Sequence, residues 1–186
     1  MLNLKVVNLY AGPGAGKSTL AAGLFNLLKN LGYRVELVTE FAKDTTYERN
    51  FGLLQNQLAI LAEQDRRLRR LEGQVDWVIT DSPLPLGIVY MTPEYEEWLV
   101  PAVWGAFRRY QNFHVLISRG DRAYQTYGRS QTLAEAMTLD TQIGHLFDQA
   151  RDGEEDFAME VLSDHEAPYR VFEELIDGED EDDGAS

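Results

Sequence analysis

Residues 4–19 read LKVVNLYAGPGAGKST, and this stretch decides the fold. An apolar run of strand length, LKVVNLY (4–10), leads into Gly12, Gly14 and Gly16, and then into Lys17, Ser18 and Thr19 at the start of a helical pattern. Glycines at such positions let the backbone turn where a side chain would forbid it, and bring its N–H groups close to an anion. The helix starting near Lys17 adds about half a positive charge at its N-terminus, and the Lys17 ammonium adds a full one. Strand, glycine-rich loop and helix in this order form the context that a phosphate-binding P-loop requires. Gly12, Pro13, Gly14, Ala15, Gly16, Lys17, Ser18 and Thr19 are therefore expected to cradle the phosphates of ATP, with the Ser18 hydroxyl offered to Mg²⁺. Ala11 stands where the usual pattern has its first glycine.

Working outward, short apolar runs alternate with longer helical patterns, which predicts a parallel sheet with crossover helices. Strands are expected at 4–10, 33–39, 75–80, 112–118 and 157–162, and helices near 17–31, 53–72, 94–110 and 132–150. Thr132 followed by Glu135 makes a capping box for the last of these helices. With 186 residues, 44% of them hydrophobic, the chain is sized for a single domain, placed here at residues 1–177. Residues 178–186, almost devoid of apolar side chains, are expected to be an acidic disordered tail.

The net charge of −14 is uneven, because eight of the 31 acids fall in residues 173–183. Residues 108–129 instead carry Arg108, Arg109, Arg119, Arg122 and Arg129 against Asp121 alone, a patch able to hold phosphates. No apolar run reaches the roughly 18 residues a membrane span needs, and no secretory leader is visible, so a cytoplasmic location is expected. Without cysteine the chain has no thiolate metal site, and oxygen ligands for Mg²⁺ are the expected metal chemistry.

Three further segments bear on chemistry. VDWVITDSP (75–83) places Asp81 at the C-terminal end of an apolar strand, as a metal-holding acid or as a cap for the next helix. Glu40 ends the second strand, where it is a candidate general base for an attacking hydroxyl or an ordinary helix-start acid. Phe41 beside it would stack on a base or fill core. The helix with Gln55, Gln57 and Gln64 has amides suited to a pyrimidine edge. Its Arg66, Arg67, Arg69 and Arg70 are either a solvated face or a grip for an acceptor phosphate. After the fourth strand, SRGDRAYQTYGRSQTLAEA (118–136) offers Arg119, Arg122 and Arg129 as a lid of about residues 119–131 that excludes water and stabilises transferring charge.

TEFAKD (39–44), NQLAILAEQDRRL (56–68), TDSPL (80–84) and YGRSQTLAEA (127–136), read with the P-loop, resemble a family of small P-loop kinases encoded by bacteriophages and related to thymidylate kinases. The resemblance covers roughly residues 4–150. Some members of that family are 5-hydroxymethyluracil DNA kinases, which phosphorylate the hydroxymethyl group of the modified base in phage DNA. The resemblance implies an α/β P-loop NTPase fold with a five-stranded parallel sheet of order 2-3-1-4-5, ATP and Mg²⁺ as cofactors, and the host cytoplasm as location. It implies ATP binding by Gly12 to Thr19, Asp81 at the metal, Arg122 and Arg129 in the lid, and Glu40 as the strand-two acid. Together with the reading of the residues, the expected catalytic set is Lys17, Glu40, Asp81, Arg122 and Arg129, with Ser18 and Asp81 at the metal and Glu40, Phe41 and Gln57 on the substrate side. Three activities remain open: a kinase of 5-hydroxymethyluracil in DNA, a kinase of free deoxynucleosides or deoxynucleotides, and an ATP-driven regulatory protein. The acidic total charge weighs against duplex DNA, which rewards phosphate neutralisation.

Overall fold

A computed structural model describes residues 4–120, 132–151 and 157–182 of the chain. Five strands, β1 (Lys5–Tyr10), β2 (Val35–Val38), β3 (Trp77–Thr80), β4 (Gln111–Ser118) and β5 (Ala158–Leu162), form one sheet in the order β2-β3-β1-β4-β5. Every neighbouring pair is parallel, with Val7 opposite both Ile79 and Phe113 in the central strand. This is the sheet order that the family resemblance implies.

The helices are α1 (Lys17–Asn30), α2 (Phe41–Tyr47), α3 (Phe51–Gln55), α4 (Gln57–Arg69), α5 (Pro93–Phe107), α6 (Leu133–Arg151) and α7 (Ala167–Asp182), with a 3₁₀ segment over Leu84–Tyr90. Side chains alternate across a strand, so the near-continuous apolar run of β1 feeds two cores at once. Val7 and Leu9 join Ile79, Val115 and Ile117 under α1 and α7, through Leu20, Leu24, Val171 and Leu175. Val6 and Tyr10 join Val78 on the opposite face, under Leu68, Val103, Phe107 and Phe147 of α4, α5 and α6. Asn8, the polar residue of β1, stays satisfied in this interior: its amide donates to Val6 O and Asn112 Oδ1, both at 3.0 Å.

Several elements differ from the sequence-based expectation. The single helix expected over 53–72 is two, α3 and α4, because the Asn56 side chain accepts the Ala59 N–H at 3.1 Å and starts a new helix. Helix α2 and the 3₁₀ segment occupy stretches to which no element was assigned, although Glu40 and Asp81 had each been read as a possible helix start. Helix α7 follows Asp164, whose carboxylate accepts the N–H groups of Glu166 and Ala167 at 2.9 Å. That helix continues through Asp182, past position 178 where disorder was expected, and residues 183–186 lie outside the described part.

Candidate functional site

In an all-parallel sheet the strands end on one edge, and the tips of β1, β2 and β3 bring Ala11, Thr39 and Asp81 together there. The cradle spans from Ala11 to the start of α1. Gly16, the helix N-cap, has φ 108° and ψ 8°, a region that side chains rarely occupy, and a Cβ on it would lie 2.3 Å from Ser163 Oγ. Ala11 is buried with no positive φ, so the departure from the usual glycine leaves the cradle's geometry intact. Gly16→Ala is expected to cost about 1–3 kcal/mol of stability from backbone strain alone. It should also remove nucleotide binding, which a urea titration alongside nucleotide titration checks; unaltered stability and affinity would contradict this geometry.

Lys17 folds back over its own loop and donates to Ala11 O at 2.6 Å and Gly12 O at 3.3 Å. Burial lowers its pKa, while the carboxylates of Glu40, Asp81 and Asp140 act in the opposite direction. Ser18 donates its hydroxyl to Asp81 Oδ2 at 2.6 Å. The other oxygen of Asp81 accepts the backbone N–H of Glu40 at 3.1 Å. Asp81 is thus 3% exposed and fully engaged, and ties the tips of β2 and β3 to α1. Ser18 and Asp81 supply one hydroxyl and one carboxylate at the phosphate end. That sparse oxygen set fits Mg²⁺, which takes its remaining ligands from phosphates and water.

Glu40 is the N-cap residue of α2, yet its side chain makes no capping bond and lines the cavity beside the cradle instead. Its pKa is raised, first by burial and then by Asp81, against the pull of Lys17. Lys17 and Glu40 thus share one cleft, with burial displacing each in the direction that disfavours its charge.

That cavity, about 540 Å³, runs from Lys17 and Ser18 past Glu40 into a chamber. Leu54, Ile60, Leu61, Leu86, Met91 and Val103 give it apolar walls. Tyr47 and Tyr90, 53% and 39% exposed, also line it. Gln57 is buried in its wall, with the amide nitrogen donating to Leu54 O at 3.1 Å. Gln64 holds the turn that carries Glu40: its Oε1 accepts Phe41 N–H at 3.1 Å and its Nε2 donates to Thr39 O at 3.4 Å.

Phe41, expected on the substrate side, is not among the lining residues. It sits beneath the Arg67 guanidinium, 5.0 Å from ring centroid to Cζ. The α4 arginines are likewise spent away from the chamber. Arg66 pairs with Glu63 at 2.7 Å, Arg67 with Asp44 at 2.7 Å, and Arg69 with Asp65 at 3.7 Å. Arg70 donates to Arg67 O at 3.3 Å. Carboxylates three, four or 23 positions away capture the first three, which a one-dimensional reading of a basic cluster does not reveal.

Residues 6–152 match the family model described as AAA domain. The chain belongs to this family. The thymidylate kinase from Ehrlichia chaffeensis, known from a crystal structure, has the same fold at a TM-score of 0.61 over 93% of this chain and 99% of that one, with 14% sequence identity. No curated protein matches the chain at a significant level. The AAA domain therefore carries the architecture of a P-loop kinase, and no helix among its described residues is long and apolar enough to cross a membrane.

The AAA domain also brings to the cradle two residues from distant elements. Arg119, at the end of β4, donates to Pro13 O at 2.8 Å and pairs with Asp140 of α6. Asp140 Oδ1 in turn accepts Gly12 N–H at 2.9 Å. The sequence reading placed Arg119 in a lid and did not single out Asp140, an isolated acid on a mixed helix face. Arg122 and Arg129, the other lid candidates, lie outside the described residues.

Proposed function

We propose that this AAA domain is an ATP-dependent phosphotransferase acting on a hydroxyl of a nucleic-acid component, with the 5-hydroxymethyl group of 5-hydroxymethyluracil in DNA as acceptor. The observation that carries this reading is the continuity of the cavity: one space joins Lys17, Ser18 and Glu40 to an apolar chamber edged by glutamine amides. A flat, uncharged, hydroxyl-bearing base suits those walls, and a free carbonyl or imide edge suits Gln57. Arginine, the usual grip for a phosphate monoester, is not among the lining residues described. A chamber of this size beside the phosphate end has no use in a regulatory protein that only hydrolyses ATP.

Lys17 and the loop amides would hold and align the β- and γ-phosphates, and Ser18 and Asp81 would hold Mg²⁺. When bound there, the metal supplies charge neutralisation to the transferring phosphoryl group. Glu40 would take the proton of the attacking hydroxyl as its oxygen bonds to the γ-phosphorus and the bond to the β-phosphate oxygen breaks. Arg122 and Arg129 are proposed to stabilise the charge on the transferring phosphoryl group. Free deoxynucleosides or deoxynucleotides are the second reading, favoured by the −14 net charge, which repels duplex DNA, and by the fold shared with a thymidylate kinase.

Labelled ATP supplied with DNA containing 5-hydroxymethyluracil, with free nucleosides and nucleotides, and with no acceptor separates these readings. Label is expected on the modified DNA. Label confined to free nucleotides would falsify the DNA substrate, and phosphate release without any acceptor labelling would leave only an ATPase.

Glu40→Gln is expected to slow transfer by roughly 10²- to 10⁴-fold with ATP binding preserved. Because the Glu40 pKa is raised, the wild-type rate should fall with decreasing pH earlier than an ordinary carboxylate would dictate, and the variant should lose that limb. The same shift has a stability sign. A folded-state pKa above the unfolded one favours the protonated form, so its stabilisation is present in acid and is lost as pH rises through the folded value. At neutral pH the charge on Glu40 is a cost, and Glu40→Gln should melt higher than wild type there, with the gap closing in acid. Unchanged turnover in the variant removes Glu40 as base.

A further inference from the structure

The geometry points to Asp140 and Arg119 as a positioning pair that fixes the first turn of the phosphate cradle while keeping the carboxylate's charge neutralised behind it. The inference rests on the reading that the cradle binds ATP. Asp140 and Arg119 come from α6 and the end of β4, and each grips a different backbone group of the loop. Asp140 Oδ1 accepts Gly12 N–H at 2.9 Å, and Arg119 Nη2 donates to Pro13 O at 2.8 Å. The two are also locked to each other, because Arg119 Nη2 reaches Asp140 Oδ1 at 3.1 Å and its Nε bonds Oδ2. One bidentate ion pair therefore holds two peptide units of the loop, 11–12 through its N–H and 13–14 through its carbonyl, on either side of the Gly12–Pro13 bond. The fit leaves no slack, since a Cβ on Gly12 would lie 2.3 Å from Asp140 Oδ1, 2.9 Å from Ala136 O and 3.0 Å from Arg119 Nη2.

A carboxylate so close to an anion site is counterproductive unless its charge is cancelled. Arg119 cancels it, and the pair is only 20% and 30% exposed, where a guanidinium and a carboxylate interact strongly. Lys17, Glu40, Asp81, Lys43 and Asp44 are further charged groups among the described residues at this end of the sheet, and Lys17 feels both members of the pair. The roles of the two residues are consequently unequal. Asp140 without Arg119 repels the nucleotide, whereas a neutral residue at 140 still has a use if it accepts from Gly12.

The test is nucleotide affinity measured with a fluorescent ATP analogue and Mg²⁺ on the full chain, together with melting temperature, for D140N, D140L, R119K, R119M and the double variant R119M/D140N. D140N retains an acceptor for Gly12 and is expected to bind a few-fold more weakly than wild type, and D140L about tenfold more weakly. R119M should be the weakest binder. R119M/D140N should recover part of that loss, a non-additive rescue that loosened packing cannot produce. R119K should lie between wild type and R119M. The R119M defect should shrink as salt rises, because repulsion by the exposed Asp140 charge is screened. A folded R119M/D140N that binds no better than R119M, or D140L with wild-type affinity, overturns the pair. Where R119M melts below assay temperature, R119K and R119K/D140N must show the same order and salt response, and their failure to do so overturns it equally. Wild-type protein without affinity for ATP would sink the cradle reading itself, which these comparisons keep distinct.

Discussion

Lys17→Ala is expected to abolish measurable phosphoryl transfer while leaving the chain folded. The ammonium puts a full positive charge at the cradle's helix end, and removing a single donor aimed at developing charge typically costs about 10²- to 10³-fold in rate. In the absence of nucleotide the same ammonium is poorly placed: burial lowers its pKa, and only Glu40, Asp81 and Asp140 hold it up. A lysine whose folded pKa lies below its unfolded one costs stability at neutral pH, a cost relieved as pH rises. Against this stand its two bonds to Ala11 O and Gly12 O, at 2.6 and 3.3 Å. The opposing terms leave a net change of about 1 kcal/mol or less, which in a chain of this size moves the melting temperature by about 2–4 °C. Circular dichroism melting and transfer of labelled phosphate check both halves. Wild-type turnover in the folded variant would discard the phosphate assignment of the whole loop.

The cradle was legible in the sequence because its constraints are local. Gly16 must take a φ of 108°, Lys17 must follow it, and β1 must precede it, so several adjacent features agree on one meaning. The position of Asp81 was legible for a similar reason, since the residue just past the C-terminal end of a strand lies at the ligand edge of a parallel sheet. The sheet order was not readable from spacing; the family resemblance supplied it. Phe41 shows where sequence reading stops. An aromatic beside a candidate base looks like a substrate shelf, but Arg67, 26 positions later, claims its face. Asp140 was invisible in the same way, because its meaning lies in a contact with Gly12 across 128 positions. Helix α7 went unassigned in the sequence: Pro168 and the acids from Glu173 onward obscure it, and Val171 and Leu175, buried against α1, are too few to show a period.

Asp81→Asn should separate metal binding from architecture. Both carboxylate oxygens are engaged, one by the Ser18 hydroxyl at 2.6 Å and the other by Glu40 N–H at 3.1 Å. Asparagine is nearly isosteric and preserves both contacts: its oxygen still accepts from Glu40, and its amide donates to Ser18, whose hydroxyl turns around. The site is 3% exposed, so a neutral group is also cheaper to bury than a charged one, and the fold should survive. What is lost is the anionic charge on the metal side. Transfer at ordinary Mg²⁺ should fall by about 10²-fold, with metal affinity weakened about 10- to 100-fold and activity partly restored at high Mg²⁺. A second readout comes from Glu40, whose pKa is raised by burial and then by the Asp81 charge. With that charge gone, the acid limb of the rate profile should move to lower pH. A purely structural Asp81 predicts neither the higher Mg²⁺ requirement nor the displaced limb. Wild-type turnover by the variant at ordinary Mg²⁺ would therefore leave Asp81 as a tie between strand tips and nothing more.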